Sequence, residues 1–106
     1  MRFRKKNDPA FVVSVMTHRE LRRYGENLGH AEHGEFAFYG LHVDAHRVFK
    51  HTDPMFVLYR EGVEVGQLGE HDRLVIEDDG AVYPIARDAF DATYERDPNW
   101  NGGPAR

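Results

Sequence analysis

The sequence contains no cysteine, a single serine and no apolar run near the roughly 20 residues that cross a bilayer. Without cysteine there is no disulfide framework, thiolate zinc site, cysteine nucleophile or thiol redox switch. Ser14 sits inside the apolar run Phe11–Met16 with no base in the local sequence, which leaves a serine nucleophile poorly supported. The ten glycines are scattered and form neither G-x-G-x-x-G nor a Walker pattern, so no phosphate-cradling loop is encoded. No βαβ alternation supports a dinucleotide fold, and the basic start Met1–Lys6 leads into no secretory apolar segment. A cytoplasmic protein that does not enter the membrane is the expectation.

What is present fits one small globular domain. The chain has 106 residues, of which 30% are charged and 12% aromatic. Residues 1–96 are expected to form the domain and 97–106, with two glycines and two prolines, a disordered tail. The net charge of −4 conceals a polarity along the chain. Residues 1–23 carry seven Lys or Arg against two acids, whereas residues 61–97 carry three Arg against eleven acids. In so small a domain this asymmetry more often lets a terminal strand pair with the oppositely charged remainder than it marks a nucleic-acid-binding arm.

Hydrophobic spacing supplies the elements. Arg2–Lys6 reads as the start of a strand, Asn7-Asp8-Pro9 as a turn or bulge, and Phe11–Met16 as its continuation, together one interrupted strand. Thr17-His18-Arg19-Glu20 has capping-box spacing and opens a helix with Leu21, Tyr24 and Leu28 on one face and Gly29 as its stop. Glu35–Tyr39 is expected as a strand with Phe36 and Phe38 on one face, and Leu41–Phe49 as another, broken or bulged near Gly40. Met55–Arg60 and Val63–Leu68 form a hairpin through Glu61-Gly62; Arg73–Glu77 and Ala81–Ile85 form one through Asp78-Asp79-Gly80. Pro84 places the last of these at a sheet edge, where a second copy could add as a homodimer. Ala86–Phe90 reads as one helical turn before a strand near Ala92–Arg96. The fold class is α+β, mostly β: a curled antiparallel sheet or small barrel with one packed helix.

Seven histidines are the strongest compositional oddity. His30-x-x-His33 and His42-x-x-x-His46, with Glu35 or Asp44, have spacings compatible with a divalent metal centre. On a strand, however, His42 and His46 share a face about 13 Å apart, too far to hold one metal without a turn. The plainer reading is that an Arg-rich, Lys-poor protein carries many surface histidines. Glu70, Asp72, Glu77 and Asp79 form a candidate acidic interaction surface, although Asp78-Asp79-Gly80 is also what a hairpin turn requires. Arg19, Arg22 and Arg23 on the helix, with Arg2, Arg4, Lys5 and Lys6, are the residues that nucleic-acid binding would use.

Two stretches also carry a resemblance. The start Met1-Arg2-Phe3-Arg4-Lys5-Lys6 and the end, comprising Asp72-Arg73-Leu74-Val75-Ile76, Gly80-Ala81-Val82-Tyr83-Pro84-Ile85 and Phe90-Asp91-Ala92-Thr93-Tyr94-Glu95, resemble the PGDYG family of small phage and prophage proteins. Of the naming motif Asp72 remains, with His71-Asp72-Arg73 where Gly-Asp-Tyr would stand, and residues 17–65 lie outside the likeness. The resemblance implies a phage-type or mobile-element protein of the host cytoplasm, without an established activity, and treats Tyr83, Pro84, Phe90 and Tyr94 as one structural unit. The leading expectation is a non-catalytic module that binds another macromolecule, a host protein if the resemblance holds. A metal- or small-ligand-binding protein and a nucleic-acid binder are the alternatives.

Overall fold

The structure is a computed structural model that describes residues 1–28, 35–46 and 54–98. His30, His33, the Gly29 stop, the far end of the expected Leu41–Phe49 strand and the tail from residue 99 lie outside these. The described chain is α+β and mostly β. Its elements are β1 (Arg2–Lys5), β2 (Asp8–Thr17), α1 (His18–Asn27), β3 (Glu35–Phe38), β4 (Leu41–His46), β5 (Met55–Arg60), β6 (Val63–Leu68), β7 (Arg73–Glu77), β8 (Val82–Ile85), α2 (Arg87–Thr93) and β9 (Tyr94–Arg96). The expected single curled sheet is divided in two, a five-stranded sheet ordered β8-β7-β2-β1-β9 and a four-stranded sheet ordered β3-β4-β5-β6. All described pairings are antiparallel, and the sheets do not close into a barrel.

Several local expectations are corrected. The N-terminal stretch is a hairpin, not one interrupted strand, because Lys6 and Asn7 turn the chain and Lys5 faces Asp8. The register slips between Arg4, opposite Val12, and Lys5, so Pro9–Phe11 form a bulge and Pro9 need not donate to the ladder. The irregularity at Gly40 is a hairpin turn: Tyr39 and Gly40 have φ of 50° and 78°, like Glu61 and Gly62 with 52° and 82°. The turn at Ala86–Phe90 extends to a second helix, α2, and the last strand shortens to Tyr94–Arg96.

The Thr17 capping box forms as the sequence implies. Glu20 N–H donates to Thr17 Oγ1 (3.2 Å) and Thr17 N–H to Glu20 Oε1 (2.9 Å). The buried face of α1 is nevertheless His18, Leu21 and Gly25, while Leu28 is exposed and Tyr24 rests partly exposed on Phe36 and Phe38. His18 joins α1 to the start of β5: its Nε2 donates to the Pro54 carbonyl (2.6 Å) and its ring leans on Phe56. Two polar groups that would otherwise be buried alone thereby satisfy each other.

Alternation along each strand produces two cores. Leu74, Ile76 and Val82 of the five-stranded sheet meet Phe36, Phe38, Leu41, Val43, Phe56, Leu58 and Leu68 of the four-stranded one, with Leu21 of α1 among them. On the other side of the five-stranded sheet, Val13, Val15 and Val75 are covered by Phe90 of α2 and Tyr94. Full burial of one such side chain contributes about 1.5–3 kcal/mol, against about 0–1 kcal/mol for an exposed ion pair, so packing holds the layers together. The two sheets touch where Pro84 of β8 seats on Gly66 of β6. A Cβ at Gly66 would lie 2.5 Å from Pro84 Cγ. As expected from its proline, β8 is an edge strand, but this seat sets the homodimer edge against the molecule's own β6.

Gly66→Ala is therefore expected to destabilise the fold by about 1–3 kcal/mol through overpacking. Adding Pro84→Ala should restore much of the loss in a denaturant double-mutant cycle. A neutral Gly66→Ala, or an additive pair, would contradict the close seat.

Candidate functional site

Because Leu41, Val43 and Ala45 turn inward, His42, Asp44 and His46 stand on the solvent face of the four-stranded sheet. The register then assembles their neighbours. Glu35 lies opposite Asp44 across β3 and β4, while His42 lies opposite Tyr59 and Asp44 opposite Val57 across β4 and β5. His42 Nε2 is 3.3 Å from Glu35 Oε2, and His46 Nε2 is 3.0 Å from Asp44 Oδ2. The His42 and Tyr59 rings are 6.0 Å apart and inclined at 55°. Glu35, His42, Asp44, Tyr59 and Gly62 line an open groove of about 330 Å³.

At one end of this sheet the turns Tyr39-Gly40 and Glu61-Gly62 emerge side by side, since β4 starts where β5 ends. Tyr39, Val63 and Val65 are there 62%, 65% and 42% exposed. The alternation of Val63–Leu68 thus buries only Leu68 fully, and a bulge opposite Leu58 and Tyr59 displaces Val65 from the ladder.

The metal candidates His42 and His46 face the same way but engage different carboxylates, and no three His, Asp or Glu among the described residues are placed to share an ion. The other two candidates, His30 and His33, lie outside the described residues. The acidic candidates fall at opposite ends of β7, with Glu70 and Asp72 before it, Glu77 as its last residue and Asp79 after it. Four residues, Arg73 to Ile76, at about 3.3 Å each separate the two groups. Most have local tasks. Asp72 Oδ2 accepts from Gly69 N–H (2.8 Å), Asp79 Oδ1 accepts from Ala81 N–H (3.0 Å), and Glu77 lies beside the Tyr83 hydroxyl. A second hollow, of about 230 Å³, lies between the β1–β2 bulge and the Glu77–Asp79 turn.

The basic candidates are divided in the same way. Arg2 Nη1 donates to Ser14 Oγ (2.9 Å) and to Asp78 Oδ1 (3.1 Å), so the neighbour of the lone serine hydroxyl is a cation and not a base. Arg4 Nε pairs with Glu95 Oε2 (2.7 Å), Lys6 Nζ donates to the Asp91 carbonyl (2.6 Å), and Lys5 lies 4.1 Å over the Phe11 ring. On α1, Arg22 is 3.4 Å from Glu26, and Arg19 and Arg23 are exposed. The sequence does not show that Tyr59 faces outward. In the unbroken apolar run Met55–Tyr59 no alternation separates the faces, and only the pairing with His42 reveals which way Tyr59 points.

No family model matches the chain, and no curated protein or solved structure matches it.

One titration is within reach. The Tyr83 hydroxyl lies 3.2 Å from that of Tyr94, and burial first, then hydrogen bonds with Tyr94 and Glu77, push its pKa well above the usual tyrosine range. The folded state therefore holds this proton more tightly than the unfolded state. Its contribution is complete below the ordinary value of about 10 and declines as pH rises beyond it. Denaturant melts at pH values on either side of 10 should show alkaline loss of stability that is shallower in Tyr83→Phe; equal slopes would contradict the assignment.

Proposed function

We propose that the protein is a non-catalytic binding module that engages another protein through the solvent face and adjoining hairpin tips of its four-stranded sheet. The observation that carries this reading is the exposure of Tyr39, Val63 and Val65 together at one end of that sheet. Exposed apolar side chains of this size at adjoining hairpin tips of one sheet are characteristic of a contact surface. The two hairpins present them on a sheet anchored by the main core, so little ordering is required on binding.

The distribution of charge favours a protein over a nucleic acid as the partner. Arg2 and Arg4, the strongest cations of the N-terminal strand, are matched by Asp78 and Glu95 within the fold. Among the described residues that line the groove the fixed charges are the carboxylates of Glu35 and Asp44, which repel a phosphate backbone. The resemblance of the chain ends to small phage proteins makes a host protein the class of partner to seek.

A photo-crosslinking residue in place of Val63 should give a discrete adduct with one partner in cells that make the protein. The same residue in place of Asp88, exposed on α2 beyond the other sheet, should not. Absence of an adduct from position 63, or the same adducts from both positions, would overturn the reading.

A further inference from the structure

We draw no further inference here: the strongest candidate, the exposed apolar patch of Tyr39, Val63 and Val65 at the hairpin tips of the four-stranded sheet, belongs to the site already described, and nothing in the structure shows what covers it.

Discussion

The seat of Pro84 on Gly66 is the constraint on which the arrangement of the two sheets depends. Pro84 has no N–H to extend a ladder, and Gly66 has no side chain to hold the neighbouring strand away. The strands β8 and β6 therefore meet by contact and not by hydrogen bonding, and the nine described strands stay two sheets instead of closing on themselves. That contact lays the inner face of the four-stranded sheet over Leu74, Ile76 and Val82 and leaves its other face directed outward. It also sets β8, the strand a second copy would otherwise extend, against its own molecule.

Charge is distributed between architecture and surface with little overlap. The basic first strand lies inside the five-stranded sheet, between β2 and β9, and its arginines meet acids from the distant C-terminal half. Each such pair is worth little by itself at the surface, so its effect is to select register and partner strand more than to supply stability. Asp72 and Asp79 are taken up by the turns that contain them. Glu35 and Asp44 face each other across the β3–β4 ladder, each beside a histidine of β4.

Local chemistry made parts of this structure legible in the chain. Thr17 and Glu20 specify a helix start by hydrogen bonds within four residues, and Glu61-Gly62 specifies a hairpin by its dihedral preference. The alternation in Leu41–His46 likewise declares its own inner and outer faces. What escaped depends on partners distant in sequence. The β1–β2 hairpin hides behind a proline bulge, and the burial of His18 needs the Pro54 carbonyl thirty-six residues away. The small side chain at Gly66 has meaning only once β8 is beside it. The histidines were legible as a group, but their division between Glu35 and Asp44 follows from register, as does the joining of Tyr59 to His42. The acidic residues read as one patch only in the linear sequence, since the strand already expected at Arg73–Glu77 carries them to opposite ends.

The account rests on the outward face of the four-stranded sheet being the surface through which the protein works. The most direct measurement is an amide correlation spectrum of the isotope-labelled protein recorded in buffer and again in an extract of the cells that make it. The account requires selective broadening of β4, β5 and the turns at Tyr39-Gly40 and Glu61-Gly62, with α2 and β9 unaffected. Broadening confined to α2 and β9, or none at all, would contradict it.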